Sequence, residues 1–257
     1  AFRALDDITL DIRQGEVIGL VGESGSGKTT LVRALLRLYR PSGGTLLFRG
    51  EDITRASDRA LRPVRRELQM VFQDPGGSFN PRKLMKDSLA EALRAAGVTS
   101  SREIAARTAA LLERVQLAPE HGERYPHELS GGQLQRVAIA RAVALDPALI
   151  VADEAVSKLD VSVRAGVLDL FRDIQREKQL SMVFITHDLE VARYMCDRIA
   201  VLYHGRLLEL GPTERVFDSP SSDYTRTLLE TLDYSLGGRN FGQAGYGGTG
   251  TERAHAD

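Results

Sequence analysis

The stretch GESGSGKTT, from Gly22 to Thr30, contains the residue types that hold a nucleotide phosphate. Its first part matches the pattern G-x-x-x-x-G-K-[ST], in which backbone N–H groups curl around phosphate oxygens. The lysine adds a positive charge for the β- and γ-phosphates, and the hydroxyl after it is a ligand for Mg²⁺. A flexible turn is the alternative interpretation. The residues expected to bind ATP are Gly22, Ser24, Gly25, Ser26, Gly27, Lys28, Thr29 and Thr30, with Thr29 also on Mg²⁺.

Two adjacent carboxylates, Asp153 and Glu154, follow the apolar run ALIVA that begins at Ala148. Because side chains alternate along a strand, we expect the two carboxylates to point in different directions and to have different roles. Asp153 suits the coordination sphere of Mg²⁺. Glu154 is expected to orient or deprotonate the water that attacks the γ-phosphate, a role worth roughly 10² to 10⁴ in rate. Taken alone, the pair is also typical of the start of a helix.

Two further polar residues follow predicted strands. Gln73, which comes after LQMVF, is expected to reach Mg²⁺ or the attacking water through its side-chain amide. His187, which comes after SMVFIT, is expected to contact the γ-phosphate or to hold the attacking water. A lone histidine at such a place is also typical of a helix cap or a core position, and a lone glutamine there indicates little.

Short apolar runs rich in β-branched residues alternate with helical patterns, which predicts an α/β fold with a covered, mostly parallel sheet. Parallel strands direct their carboxyl ends to one edge of the sheet, where ligands bind, so we expect the chemistry at that edge. The predicted strands are EVIGLVG from Glu16, LQMVF from Leu68, ALIVAD from Ala148, SMVFIT from Ser181 and RIAVLY from Arg198.

The pattern changes twice along the chain. From about 81 to 146 only helical patterns occur, which predicts a helical subdomain inserted into a domain that spans 1–235. After Tyr203, HGRLLELG predicts a short hairpin, and residues from about 212 to 235 are expected to form a C-terminal extension with helices near Glu214 and Tyr224. Residues 236–257 are rich in glycine, and we expect a disordered tail there.

The composition is that of an ordinary globular chain: 257 residues, 42% apolar, with a net charge of −1 from 34 basic and 35 acidic side chains. This balance gives no indication of a nucleic-acid partner. The single cysteine, Cys196, excludes an intrachain disulfide and any all-cysteine metal site within this chain. We find no apolar run long enough to span a bilayer and no signal-peptide core, so membrane association is expected to come through a partner.

The chain opens on Ala1, within what its pattern predicts to be a strand. We therefore expect further residues upstream. Whether the chain is a separate subunit or the second half of a fused polypeptide is left open by its sequence.

A second stretch suited to an anion begins at Leu129 and runs LSGGQLQRVAIARA. Ser130, Gly131 and Gly132 open a predicted helix, where a hydroxyl, backbone N–H groups and a partial positive charge of about half an electron favour a phosphate. A helix cap with a glycine pair for close packing is the alternative interpretation.

Together these motifs resemble those of the ABC-type ATPase subunits. GESGSGKTT, the Gln73 loop, LSGGQ, the LIVADE strand end, SKLD and His187 occur in the order and approximate spacing of that family, from Ile8 to Leu210. The resemblance implies a P-loop NTPase fold of ABC type, with a mostly parallel central sheet, an antiparallel N-terminal β-subdomain and an inserted α-helical subdomain. It also implies ATP and Mg²⁺ as cofactors.

In that family two ATPase domains pack head to tail, and each ATP lies between the phosphate loop of one domain and the LSGGQ stretch of the other. The resemblance therefore implies a second ATPase domain as partner. Residues that it assigns to the partner's ATP are Ser130, Gly131, Gly132 and Gln133. Those that it assigns to the dimer seam are Ser157, Lys158, Leu159 and Asp160.

Two positions depart from the family's pattern. Family members usually carry alanine where this chain has Lys158, which either pairs with an acidic group across the seam or marks an altered companion site. The aromatic residue that stacks on adenine lies near the first strand in the family. Phe2 is the candidate here, and a core position for Phe2 with a stacking residue upstream of Ala1 is the alternative.

A narrower resemblance is to the subgroup that energises uptake of oligopeptides, dipeptides and nickel. It is based on VGESGSGKTT, MVFQDPGGSFNPR, DEAVSKLDVSVRA and SSDYTRTLL. In this subgroup a C-terminal extension carries a Pro-Tyr-Thr-Arg-like segment, of which Tyr224, Thr225 and Arg226 remain here. Related extensions can hold an iron–sulfur cluster through cysteines, which this chain cannot do with Cys196 alone.

The resemblance implies an ATP-hydrolysing subunit on the cytoplasmic face of the cell membrane that powers import of peptides or a related small solute. Its partners would be transmembrane permease subunits, whose coupling helix meets residues near Gln73 to Arg82, and indirectly an extracytoplasmic substrate-binding protein. A soluble ABC ATPase of DNA repair or translation is the alternative, but the sequence shows neither coiled-coil inserts nor a basic surface. A catalytically degenerate half of a paired ATPase is a further alternative because of Lys158.

Overall fold

A computed structural model describes residues 3–235 of the chain. Phe2 and the predicted tail, 236–257, lie outside the described residues. The helices and strands, in chain order, are β1 (Val17–Val21), α1 (Lys28–Leu35), β2 (Leu47–Phe48), β3 (Glu51–Asp52), α2 (Leu61–Glu67), β4 (Leu68–Val71), α3 (Met85–Ala95), α4 (Ser101–Arg114), α5 (Gly131–Val143), β5 (Leu149–Asp153), α6 (Val161–Lys178), β6 (Ser181–Ile185), α7 (Leu189–Met195), β7 (Arg198–Tyr203), β8 (Arg206–Pro212), α8 (Thr213–Asp218) and α9 (Asp223–Ser235).

A six-stranded sheet forms the centre of the molecule, with the strand order β4-β5-β6-β1-β7-β8. Its first five strands are parallel, and β8 pairs antiparallel with β7 through the hairpin that the sequence predicts after Tyr203. Each of the five strands predicted from apolar runs is present. The carboxyl ends of β1, β4, β5 and β6 therefore share one edge of the sheet.

Alternate side chains of each central strand enter two different cores. On β5, Ile150 and Ala152 face the core that contains the buried side chains of α5, α6 and α7. Leu149 and Val151 face the opposite core, to which α1 contributes Val32. Because both faces are covered, the strands are apolar at nearly every position, as their sequence indicates.

The N-terminal segment differs from its sequence prediction. Residues 3–16 form no strand, although Ile8, Leu10 and Ile12 alternate and pack against the core on the α1 side of the sheet. Their side chains are placed as in a strand, but none of the described strands pairs with their backbone. The antiparallel part of this region is the two-residue hairpin β2–β3.

Between β4 and β5 the chain is helical, with α3, α4 and α5 joined by short 3₁₀ segments. The buried side chains of α3 and α4, including Leu89 and Leu112, belong to the same core as Ile150 of the sheet. The boundary of a separate helical subdomain at 81–146 remains a prediction. Within residues 3–235, no helix is both long enough and apolar enough to cross a membrane.

Candidate functional site

The phosphate-loop motif joins β1 to α1 at the carboxyl edge of the sheet. Gly22 has φ of 145°, and a Cβ atom there would lie 2.2 Å from the carbonyl oxygen of Leu202 on β7. Gly27, with φ of 108°, is the residue before the first turn of α1. A Cβ atom would clash at Gly22, and a residue with a Cβ atom would have a strained backbone at Gly27. The fold therefore requires glycine at these two positions of the motif.

Lys28 is 7% exposed and folds back over the loop. Its Nζ atom donates to the carbonyl oxygens of Gly22 at 2.7 Å and of Glu23 at 2.8 Å, and to Oγ of Ser26 at 3.3 Å. Burial lowers the pKa of Lys28, and the nearby charges of Glu154 and Asp153 partly offset this effect. The ammonium predicted to bind phosphate is therefore close enough to the two predicted carboxylates for their charges to affect its pKa.

The other residues of the motif lie in the loop and in the first turn of α1. Ser24 and Gly25 are exposed at its tip, whereas Ser26 is buried. Thr29 and Thr30, in the first turn of α1, are partly buried.

Asp153 is the last residue of β5, and Glu154 leaves the strand with a left-handed backbone, φ 47°. We predicted from strand alternation that the two side chains point in different directions. Alternation does not apply to this pair, because the strand ends at Asp153 and the left-handed backbone of Glu154 sets the direction of the Glu154 side chain. Burial and the charge of Glu154 raise the pKa of Asp153, while Arg33 and Lys28 act in the opposite direction.

Three polar side chains converge on Glu154. The Nε2 atom of Gln73 donates to its Oε2 at 2.8 Å and to Oγ of Ser157 at 3.1 Å. Ser157 Oγ in turn donates to the carbonyl oxygen of Glu154 at 3.0 Å. His187 Nδ1 lies 3.6 Å from Oε2 of Glu154, and its side chain is 63% exposed. The residues predicted to be catalytic from three different strand ends therefore meet at one carboxylate.

The LSGGQ stretch forms the start of α5, where Ser130 is the N-cap. Its Oγ accepts from the N–H of Gln133 at 3.3 Å, and its own N–H donates to Oε1 of Gln133 at 3.0 Å. This reciprocal pair is a capping box. Gln133 also contacts Nε2 of His121 through its amide nitrogen. The helix-cap interpretation therefore applies to Ser130 and Gln133, which together cap the start of α5.

The two glycines of this stretch have different surroundings. A Cβ atom on Gly132, which is buried, would lie 2.3 Å from Cγ1 of Val163, so close packing against α6 requires a glycine there. Gly131 is exposed, and a Cβ atom on it would lie 3.9 Å from Cδ2 of Leu159, an ordinary contact. Packing among the residues that the structure describes therefore accounts for Gly132 but not for Gly131.

The segment predicted to lie along a dimer seam, 157–160, lies between the Glu154 cluster and α5. Ser157 belongs to the cluster, Leu159 packs against the start of α5, and Lys158 and Asp160 are exposed. Asp160 precedes α6 as its N-cap residue.

Two residues near this site were not found from the sequence. Arg164 on α6 donates to Oδ2 of Asp188 at 3.0 Å and to the carbonyl oxygen of Leu159 at 3.4 Å, so it joins the seam segment to the residue after His187. Arg33 on α1 acts on the charge of Asp153. Neither residue belongs to a motif with a fixed spacing, and only the folded arrangement reveals them.

Comparison with known proteins identifies the class of protein that this fold and site define. The family model described as ABC transporter matches residues 5–157. The glutathione import ATP-binding protein of Escherichia coli strain K12 is 49% identical over 229 residues, which is 89% of this chain and 37% of that protein. A Brucella ovis protein, named for peptide import and ATP binding, is 48% identical over 230 residues, 90% of this chain and 73% of that protein. The chain belongs to the ABC transporter family.

Solved structures give the same result for the fold. The cassette cbiO1 of Clostridium perfringens, part of the ABC transporter complex cbiONQ, matches with a TM-score of 0.77 and 27% identity over 91% of this chain and 92% of that chain. The ATP-binding cassette MJ0796, solved as a dimer in a post-hydrolysis state with ADP and Pi, matches with a TM-score of 0.73 and 30% identity over 82% and 90%. The expected ABC-type P-loop fold is thus confirmed. The chain spans 37% of the length of the glutathione import relatives.

Proposed function

We propose that this chain is an ATP-hydrolysing subunit, or half of a fused one, of an ABC transporter that imports peptides or a related small solute. The observation that carries ATP hydrolysis is the convergence of Gln73, Ser157 and His187 on Glu154, with the charge of Glu154 acting on the buried Lys28. A carboxylate with oriented neighbours at the edge of a phosphate loop is what the activation of water for phosphoryl transfer requires.

In this function Lys28 holds the β- and γ-phosphates. Its ammonium is already removed from water and is held by the carbonyl oxygens of Gly22 and Glu23. Phosphate oxygens beside this ammonium accept stronger, charge-assisted hydrogen bonds without a further cost of desolvating the lysine. The backbone N–H groups from Ser24 to Thr30 supply the other phosphate contacts.

Glu154 accepts the proton of the attacking water or orients that water. The hydrogen bond from Gln73 fixes one of its carboxylate oxygens, and the bond from Ser157 to its carbonyl oxygen fixes its backbone. His187 lies beside the same carboxylate, and its exposed side chain can contact the γ-phosphate of a bound ATP. Each of these neighbours limits the orientations that the carboxylate can adopt, which lowers the entropic cost of reaching the reactive arrangement.

The residues present also fit Mg²⁺. Thr29, Gln73 and Asp153 offer hydroxyl, amide and carboxylate oxygens, which are the hard donors that this ion prefers. Asp153 is partly buried beside a second carboxylate, and both effects raise its pKa, so a divalent cation would stabilise its ionised form. When bound, Mg²⁺ would neutralise part of the charge on the phosphates.

A second ATPase domain completes the site. Ser130 and Gly131 are exposed at the start of α5, and the packing of residues 3–235 does not require a glycine at 131. A close approach by the γ-phosphate of a partner's ATP would require it. Ser157 belongs both to the predicted seam and to the Glu154 cluster, so it would connect the two sites of the dimer.

Import is supported by the names of the relatives. The names of the Escherichia coli and Brucella ovis proteins give glutathione import and peptide import. We extend this function to the present chain, with a permease that receives residues near Gln73 to Arg82 on the cytoplasmic face of the membrane and an extracytoplasmic substrate-binding protein. Copurification of the permease with this chain, followed by identification of its cargo, tests the substrate class.

Replacement of Glu154 by glutamine tests the catalytic assignment. We expect ATP binding to persist, turnover to fall by about two or more orders of magnitude, and ATP to trap a closed dimer. The measurements are phosphate release from the assembled complex, calorimetric ATP binding, and the dimer fraction by size. Glu113→Gln, at an exposed site on α4, is the matched control. Turnover that Glu154→Gln leaves at the control's rate would show that Glu154 is not the base.

A further inference from the structure

The C-terminal extension is firmly attached to the sheet at the start of α9. Glu209 on β8 is 7% exposed and accepts hydrogen bonds from the backbone N–H groups of Ser221 at 2.8 Å and Ser222 at 3.3 Å. Thr225 is 1% exposed, and its N–H donates to Oγ of Ser222 at 3.1 Å. Burial would raise the pKa of Glu209, but the hydrogen bonds from Ser221, Thr225 and Ser222 outweigh it and lower the pKa. Glu209 is therefore a charged anchor for α9 at neutral pH.

This attachment brings Tyr224 to the phosphate loop. Its ring contacts the ring of Tyr203, the last residue of β7, with centroids 4.3 Å apart. Its hydroxyl oxygen accepts from the backbone N–H of Glu23 at 3.3 Å. The carbonyl oxygen of the same residue, Glu23, accepts from Nζ of Lys28. A single residue of the loop thus links the tyrosine of the extension to the phosphate-binding lysine.

The turn of the β7–β8 hairpin holds the loop from another side. The N–H of Gly205 donates to the carbonyl oxygen of Ser26 at 2.8 Å. Gly205 has φ of 78°, and a Cβ atom there would lie 2.6 Å from the carbonyl oxygen of Ala4, so the turn is tightly enclosed. Residues 23 and 26 are therefore each tied to the C-terminal part of the chain by one hydrogen bond.

We propose that Tyr224 is a positioning residue for the phosphate loop, which fixes residue 23 and through it Lys28, so that the C-terminal extension sets the affinity for the nucleotide. The proposal rests on the proposed function for the identity of that nucleotide. It gives a role to the segment of Tyr224, Thr225 and Arg226, which the motifs of ATP hydrolysis leave without one. A partner that moved the start of α9 would change ATP binding without touching the nucleotide.

Tyr224→Phe tests this role in the full 257-residue chain. The variant keeps the ring contact with Tyr203 and removes only the hydroxyl that binds Glu23. We expect the amide hydrogen of Glu23 to exchange faster with solvent in the nucleotide-free protein. We also expect the Kd for ATP to rise by about two- to tenfold, the factor that one net hydrogen bond supplies. In the assembled complex, KM for ATP should rise by the same factor with kcat within about twofold of wild type.

Tyr194→Phe is the matched control, because it removes a tyrosine hydroxyl that binds Asp169 on α6. It should leave both the Glu23 amide and the Kd for ATP unchanged. If the Glu23 amide exchanges as slowly in Tyr224→Phe as in wild type, Tyr224 does not position the loop. If it exchanges faster while the Kd is unchanged, the extension does not set nucleotide affinity. A wild-type chain that binds no ATP would instead overturn the proposed function, and the exchange measurement would still test Tyr224.

Discussion

The phosphate loop and the start of α5 both present groups suited to a phosphate, but they differ in how this chain already uses those groups. In the loop, Lys28 is buried and donates three hydrogen bonds to its own chain. At the start of α5, Ser130 and Gly131 are exposed. The phosphate loop is held in place by residues far along the chain. The start of α5 is held by its own capping box with Gln133 and by the packing of Gly132 against Val163.

The difference indicates two kinds of half-site. A loop that is fixed before its ligand arrives can bind tightly by itself, because little order has to be gained on binding. An exposed helix start with a single capping box gives a weak site for a free anion and becomes useful when a second surface carries the anion to it. The following substitutions separate these two behaviours.

Lys28→Ala should have the largest effect on binding. Loss of one charge-assisted contact corresponds to about 1.5 to 3 kcal/mol, so the Kd for ATP should rise by about 10- to 150-fold. Calorimetry with the isolated chain measures this change. Lys86→Ala, which removes a surface ion pair with Glu123, is the control and should bind ATP as wild type does. In a complex with a second cassette, an unchanged ATPase rate would instead indicate that this half is catalytically silent.

Ser130→Arg should lower turnover of the complex and leave ATP binding by the isolated chain unchanged. The long cation would occupy the place of the partner's γ-phosphate, so turnover of the assembled complex should fall by about tenfold or more. Binding of ATP to the isolated chain should be unchanged. Ser100→Arg, at the N-cap of α4, is the matched control, because it also removes a helix cap. Weaker ATP binding by isolated Ser130→Arg would contradict the division into two half-sites.

The glycine pair of α5 offers a finer test. Gly132→Ala should destabilise the fold by about 1 to 3 kcal/mol, because its Cβ atom would overlap Val163. Gly131→Ala should leave stability unchanged and should lower turnover of the complex by about one order of magnitude. Thermal unfolding and phosphate release measure the two effects. Full turnover in Gly131→Ala would mean that no partner group approaches this residue closely.

Asp153→Asn should have the smallest effect of these substitutions when only the stability of the nucleotide-free and Mg²⁺-free chain is measured. The pKa of Asp153 is raised in the folded chain, so its ionised form is less favourable there than in the unfolded chain, and stability falls as pH rises above the ordinary value of 3.8. The variant should therefore raise the unfolding temperature at pH 8, and the gain should become smaller as the pH is lowered toward 3.8. Scans without nucleotide or Mg²⁺ measure this. A lower unfolding temperature at pH 8 would show that Asp153 is stabilised by its surroundings.

Most of the sheet and the order of the motifs could be predicted from the sequence because they depend on local patterns. The five central strands are short, apolar and bounded by polar residues, so their periodicity was sufficient. The N-terminal segment has the same alternation, yet it forms no strand. Pairing depends on whether a neighbouring backbone is available, which the pattern of one segment does not contain.

The contacts that hold the site together could not be predicted in the same way. Tyr224 and Glu23 are 201 residues apart in the chain and meet only because α9 returns to the edge of the sheet. The direction of the Glu154 side chain follows from its left-handed backbone conformation. Glutamate has no preference for that conformation, so the sequence does not predict it. Motif spacing predicts the residues of the candidate site, while the topology determines which residues each of them contacts.

The left-handed backbone of Glu154 also affects how the chain would respond to selection. This conformation costs a residue other than glycine about 1 to 2 kcal/mol. The hydrogen bond from the N–H of Glu154 to the carbonyl oxygen of Ile185 helps to hold Glu154 in it. Glycine would relieve that strain and remove the carboxylate. A library screened only for heat resistance should therefore enrich Glu154→Gly, and the variants that survive best would be those that no longer turn over ATP.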